Sequence, residues 1–231
     1  MKKCVWRTLV IATLMSVISV SLVSCVFKQS SDKDACIRVN GHEAVDLGLS
    51  VKWATCNIGA ESPEEYGGYY AWGETEEKSN YSWNTYKYHD NNALSYIDIG
   101  EDISGTSYDV ARVKWGGNWR MPTLDEIKEL YDKCSREWTE VNGVEGQKIT
   151  GPNGNSIFLP AAGIRSSTEL YLDSTDGHYC SATFNRNNPN IIGRDNDGQY
   201  VHILQIGRTG DMTYESFHFR HSGYSIRPVI E

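Results

Sequence analysis

Apolar and polar residues alternate most clearly over Glu43 to Thr55 (EAVDLGLSVKWAT), with Val45 and Leu47 before Gly48 and Val51 and Trp53 after it. A period of two predicts a strand, a tight turn and a second strand. The aromatic, glycine-punctuated run Tyr66 to Glu74 (YGGYYAWGE) predicts a further short strand, and the polar stretch 75–107 a long surface loop. At Thr123 the period changes. Leu124, Ile127, Leu130, Tyr131 and Cys134 fall on one helical face, while Lys128, Glu129 and Asp132 face water. Thr123 followed three residues later by Glu126 is a capping box, and Asp125 and Glu126 suit the positive end of a helix. A shorter helix is expected over Tyr108 to Lys114. Gln147 to Thr150 and Ser156 to Leu159 flank Gly151-Pro152-Asn153-Gly154-Asn155 and predict a hairpin, because Asn-Gly tolerates the positive φ of a tight reversal. Further strands are expected at Tyr179 to Thr183, Gln199 to Ile206, Tyr214 to Phe219 and Tyr224 to Val229. The pattern predicts an α+β fold of short antiparallel strands with one or two helices and long loops.

The first 25 residues follow a different logic. Lys2, Lys3 and Arg7 precede an uncharged, mostly apolar run, Thr8 to Val23, which is shorter than the ~20 residues of a spanning helix. It closes on Leu22-Val23-Ser24-Cys25, which resembles a bacterial lipobox. The reading is a signal peptide over 1–24, then the lipidated Cys25 with a flexible tether over 25–42, and one domain over 43–231 with no linker or internal repeat. The acyl chains on Cys25 would hold the domain on a bilayer at ~0.8 kcal/mol per buried methylene. The expected location is the cell envelope, as a surface-exposed outer-membrane lipoprotein, and the expected membrane partner is met through the lipid alone.

Composition narrows the partners. The 231 residues carry 22 Lys+Arg against 30 Asp+Glu, so there is no basic excess with which to hold a nucleic-acid backbone. Fourteen Tyr and seven Trp against five Phe favour half-buried rings whose polar tips reach a partner. Outside Cys4 and Cys25, four cysteines remain (Cys36, Cys56, Cys134 and Cys180). An oxidising compartment permits disulfides, and four cysteines allow three complete pairings. Cys56 with Cys134 is the preferred pair, since both sit at the edges of well-defined elements. Four free thiols is the alternative.

Several segments together carry a family resemblance. They are VDLGL from Val45, WATCNIGA from Trp53, YAWGE from Tyr70, WGGNWRMPT from Trp115, NSIFLPAAG from Asn155 and SIRPV from Ser225. From Ala44 to Val229 the chain resembles the Fibrobacter succinogenes major paralogous domain, found in secreted and lipidated proteins of Bacteroidetes. The resemblance implies a C-type-lectin-like fold, related in shape to the formylglycine-generating-enzyme group, and no agreed activity. Where members of that family usually have Tyr-Trp-Ser-Ser, this chain has Tyr179-Cys180-Ser181-Ala182. The motifs themselves read as architecture. Trp115 and Trp119 flank a glycine pair that lets backbone pass close to two large rings. Arg120 and Arg227 are expected either to cap backbone carbonyls or to pair with carboxylates such as Asp46 or Glu126.

Catalysis finds little support in the residues. His218 and His221 would point to opposite sides of a strand, no short-spaced metal ligands accompany them, and no Gly-x-Ser-x-Gly elbow is present. Cys180 is a lone thiol without an identified base. Asp195-Asn196-Asp197-Gly198 fails the EF-hand pattern, whose twelfth position would be Leu204. No catalytic residue, metal or cofactor is therefore expected. Asn80-Tyr81-Ser82 is a glycosylation sequon, and Asp173-Ser174-Thr175 is similar to an O-glycosylation motif of Bacteroidetes. The window Phe184 to Gln199 stands out, with five Asn, two Asp and two Arg between two predicted strands. It resembles in composition the variable surface of lectin-fold proteins. Asn185, Asn187, Asn188, Asn190, Asp195 and Asp197 offer donors and acceptors to sugar hydroxyls, and Tyr179, Phe184 and Tyr200 offer rings for stacking. The expected function is non-catalytic recognition of an extracellular glycan or protein. The alternative is a structural or accessory subunit of a surface assembly of fimbrial type.

Overall fold

The computed structural model describes residues 36–90, 95–184 and 199–231. The chain divides into Met1–Asp32 and Lys33–Glu231, and every described residue lies in the second unit. Cys25 therefore lies outside the described residues.

The unit begins with strand β1 (Cys36–Val39), which pairs antiparallel with β2 (His42–Val45) across Asn40-Gly41. Both turn residues have positive φ, +49° and +87°, as a two-residue hairpin turn demands, and Gly accepts the second at no steric cost. The tether expected over 25–42 is thus too long, because residues 36–42 are part of a sheet. β3 (Lys52–Ala54) pairs with β2 and forms the predicted strand–turn–strand with it; β14 (Val229–Ile230) pairs with the other edge of β3. The four-stranded sheet runs β1-β2-β3-β14.

Two helices follow the predicted order. α1 (Val110–Trp115) is capped by Asp109, whose carboxylate accepts from the amides of Ala111 and Arg112. α2 (Leu124–Lys133) has the predicted box. Thr123 accepts from the Glu126 amide, and the Glu126 side chain accepts from the Thr123 amide at 2.8 Å. Ile127 and Leu130 are buried on the predicted apolar face.

Three strands after α2 make an antiparallel sheet in the order β6 (Ser135–Val141), β7 (Val144–Thr150) and β8 (Ser156–Pro160). The β7–β8 hairpin is the predicted one. β6 was not anticipated; it turns into β7 at Asn142-Gly143, again with φ of +51° and +85°. A five-stranded sheet runs β10-β9-β11-β12-β13. Its strands are β9 (Ala162–Ser166), β10 (Glu169–Asp173), β11 (Asp176–Phe184), β12 (Tyr200–Gly207) and β13 (Met212–Phe219). The run Tyr224 to Val229 is mostly irregular, with Tyr224 bridging Tyr70 and Ser225 bridging Tyr179.

Tyr66 to Glu74 is not a regular strand. Its backbone bonds instead to the irregular segment opposite, with Tyr70 and Tyr224 exchanging amide and carbonyl at 3.0 Å each way. Nor is 75–107 a plain surface loop. It holds a 3-10 helix (Trp83–Thr85) and the two-stranded pair β4 (His89–Asp90) and β5 (Ser95–Tyr96). Tyr69, Ala71, Tyr81, Tyr86, Tyr88 and Tyr96 form a buried cluster of its own there. Buried phenols need acceptors, and backbone carbonyls supply them: Tyr81 donates to Tyr69 O at 2.5 Å and Tyr86 to Trp72 O at 2.6 Å. Two larger clusters form the rest of the interior. One gathers around Trp72, Trp119 and Tyr224, the other around Trp53, Leu130 and Val229.

No disulfide joins any two of the four cysteines among the described residues. The expected Cys56–Cys134 bridge is not formed; the two thiols sit in different surroundings, Cys134 in a core cluster that does not include Cys56. Cys56 lies just after β3, with Thr55 Oγ1 at 3.5 Å and the charges of Arg227, Glu43 and Glu65 acting on it. Cys134 ends α2 inside the cluster of Trp53 and Leu130, near Glu129 and Arg136. Burial pushes both thiols up, Cys134 to about 11.

Candidate functional site

The two arginines of the resemblance divide the two predicted roles. Arg120 forks onto Glu126 at 2.6 and 2.8 Å, adding an ion pair to the capping box. Arg227 is buried and caps backbone: Nη1 donates to Ala54 O at 3.0 Å and Thr55 O at 2.6 Å, and Nε to Asn57 Oδ1 at 2.8 Å. Asp46 binds neither; its carboxylate accepts from the Gly48 amide at 2.7 Å. Trp115 and Trp119 meet edge to face at 5.0 Å, and His42 stacks on Trp115 at 3.8 Å. These groups hold the fold.

Tyr179 also belongs to the fold, contrary to expectation. It is 2% exposed and its hydroxyl donates to Pro160 O at 2.6 Å, so its ring is unavailable to a ligand. Cys180 is fully buried, and burial alone pushes its thiol far up, which leaves no thiolate for nucleophilic chemistry. His218 and His221 do point apart. His218 meets His178 at 5.1 Å, whereas His221 Nδ1 lies 2.9 Å from the Tyr96 hydroxyl. Among the described residues, no group of three or more His, Cys, Asp and Glu is placed to hold a metal ion. Asn185, Asn187, Asn188, Asn190, Asp195 and Asp197 lie outside the described residues.

The other two predicted rings do converge, and they bring residues the sequence reading had passed over. Tyr200 at the start of β12 is the cross-strand partner of Phe219 at the end of β13, and their rings stack at 5.0 Å with planes 27° apart. Phe219 in turn stacks on His221 at 5.1 Å and 18°, and the His221 and Tyr96 planes are also 18° apart. Trp83 stands edge-on to Tyr96 at 4.5 Å and to His89 at 4.0 Å. Four of these rings thus run nearly parallel from Tyr200 to Tyr96. Phe219 is 43% exposed and Ile97 beside the cluster 46%, so the row reaches solvent.

Arg220 anchors this row from inside. Its guanidinium lies 4.6 Å over Trp72, 5.0 Å over Tyr96, 5.3 Å over Tyr86 and 5.4 Å over Phe184. Nε donates to the Tyr86 hydroxyl at 2.8 Å and Nη2 to Ile97 O at 3.4 Å. Phe184 also packs on Trp72 at 5.5 Å. Burial pushes the Tyr86 and Tyr96 phenols well above their usual range, with Arg220 opposing the rise, so both remain hydroxyl donors. Burial also lowers His221 to about 4, with Lys78 and His89 adding to the effect, so its ring is neutral at pH 7.

Phe184 and Gln199 bracket the Asn-rich window, and both touch this region: Gln199 O accepts from the Arg220 amide at 2.8 Å. The row therefore stands where that window leaves and rejoins the sheet. Phe219, His221, Tyr96 and Trp83 were missed because they are far apart in sequence. The one local signal was the run His218-Phe219-Arg220-His221, weighed only for metal binding.

Among the described residues the protein is α+β, mostly β-sheet with two α-helices and no barrel. No protein-family model matches it, and no curated protein or solved structure matches it.

Proposed function

We propose that the domain is a non-catalytic recognition module with a C-type-lectin-like fold, carried on the cell envelope by a lipidated Cys25, and that it binds an extracellular glycan. One observation supports this most: the solvent-reaching row of near-parallel rings, Tyr200, Phe219, His221 and Tyr96, at the root of the Asn-rich window. The C–H face of a pyranose packs on such rings, while amide and carboxylate side chains suit its hydroxyls. Phe219 is the contact residue in this reading, because it is the most exposed ring of the row.

The test is a glycan array probed with the full-length chain and with Phe219→Ala. The wild-type chain is expected to bind a defined glycan set. The variant should lose about tenfold in affinity, the ~1.4 kcal/mol of one well-placed contact, with an unchanged melting temperature. Folded wild-type protein that gives no signal above background, and instead co-purifies in a stable complex from the envelope, would replace this reading with the accessory-subunit one.

A further inference from the structure

Among the described residues, the end of β13 meets the β4–β5 pair and its flanks through side chains of two consecutive residues. Arg220 reaches Tyr86 and Ile97, and His221 reaches Tyr96. Of these, His221 alone can change charge in the pH range of ordinary surroundings. Its environment is unsuited to that change. Lys78 and His89 both disfavour a proton on its ring electrostatically, and Arg220 adjoins it in the chain. The nearby carboxylate of Glu74 is already engaged by Lys78 Nζ at 2.7 Å and by the Lys87 amide at 2.7 Å. The other described neighbours of the ring are Phe219, Trp83 and the phenol of Tyr96, which burial keeps protonated against the opposing charge of Arg220. His89 is buried, and neither ring nitrogen has a hydrogen-bond partner among the described residues. A neutral His221 completes the Tyr96 bond without charge. An imidazolium there brings a further cation into a ring-lined, poorly hydrated space beside Lys78 and Arg220.

We propose that His221 is a proton-sensitive latch, holding Trp83 and the β4–β5 pair against the end of β13 at neutral pH and releasing them in acid. The sign follows from linkage. His221 in the closed arrangement binds a proton less readily than it would in an open one, where its affinity returns to that of a free histidine. Opening is therefore independent of pH above about 6.5 and grows as pH falls from there toward about 4. Release would part Tyr96, with Trp83 edge-on to it, from His221 and take one of the four rings out of the row, so the device acts on the same surface. It does not depend on what that surface binds.

Hydrogen exchange read residue by residue in the full-length chain tests it without any ligand. After correction for intrinsic exchange, the opening constant of amides from Tyr86 to His89 is expected to rise about tenfold per pH unit between about pH 6.5 and 4.5. His221→Phe keeps a ring against Phe219 and cannot take a proton, so it should abolish that slope while leaving the slope of amides in α2. An unchanged slope at Tyr86 to His89 in this variant overturns the proposal. Should the variant not fold, His178→Phe decides, since it removes the buried imidazole of the main core. Under the proposal the slope at Tyr86 to His89 survives it; a slope that vanishes with His178 belongs to global unfolding and refutes the latch. A flat profile in the wild-type chain refutes it as well.

Discussion

Arg227 and Arg220 are both buried, yet they serve their regions in different ways. Arg227 knots backbone: it joins the end of β3 to the segment before β14 through two carbonyl oxygens and Asn57. Arg220 sits among rings, and its described bonds to the 86–97 segment include the Tyr86 phenol and the Ile97 carbonyl. Carbonyl acceptors are fixed in place and costly to leave unpaired, whereas ring faces tolerate shifts of several tenths of an ångström. The difference is one of bonding: the sheet around Arg227 is knotted through backbone, and the end around Arg220 is packed ring on ring.

Replacing each arginine by methionine should separate these roles most sharply. Arg227→Met strands Ala54 O, Thr55 O and Asn57 without donors, and is expected to cost about 3–5 kcal/mol of global stability in chemical denaturation. Arg220→Met keeps much of the packing against the rings and should loosen the Tyr81–Ile97 region in hydrogen exchange before it lowers the global midpoint. Equal global losses from the two variants would break the comparison.

A second expectation concerns the core framework under acid. His178 is buried in the five-stranded sheet, and burial first, then His218, lowers its ring to about 3, with the Gly163 backbone offsetting only part. A base whose folded affinity for protons is depressed does not affect the pH profile above its ordinary value. Below about pH 6.5 the unfolded chain takes up the proton first, so stability falls as pH drops toward 3. The slope is about 1.4 kcal/mol per pH unit for this one group. Urea melts between pH 7 and pH 4 should show His178→Phe with a shallower loss than the wild-type chain. Parallel profiles would place the acid sensitivity elsewhere. The smallest effect concerns the thiols: dithiothreitol should leave the melting temperature unchanged, because no disulfide joins the cysteines among the described residues. A drop of several degrees would reveal a bridge.

The framework was the more legible region. Capping chemistry is local, so Thr123 and Glu126 announced α2 to the residue. The β7–β8 hairpin was readable for the same reason. Asn40-Gly41 and Asn142-Gly143 carried equally good turn signals, but β1 has only Ile37 and Val39 to alternate, and β6 is charged along an exposed edge. The ring-lined end was illegible because its order has no sequence period. Tyr81 and Tyr86 are held by carbonyls of an irregular backbone and Tyr69 by the carbonyl of Ala162 in β9, at positions only the folded chain brings near. Of the predicted ligand rings, Tyr200 and Phe184 reach that end. Tyr179 was misplaced because a tyrosine beside an interesting loop and a tyrosine satisfied in the core look alike in sequence.

The pairing of β3 with β14, sealed by Arg227 to Ala54 across 173 residues, has a bearing on biogenesis. Until the ribosome has delivered Arg227 and the strand behind it, one edge of β3 stays open and three carbonyl-type acceptors wait for their donor. Closing so long a loop comes late and slowly. A polypeptide built this way would remain unclosed through most of its synthesis.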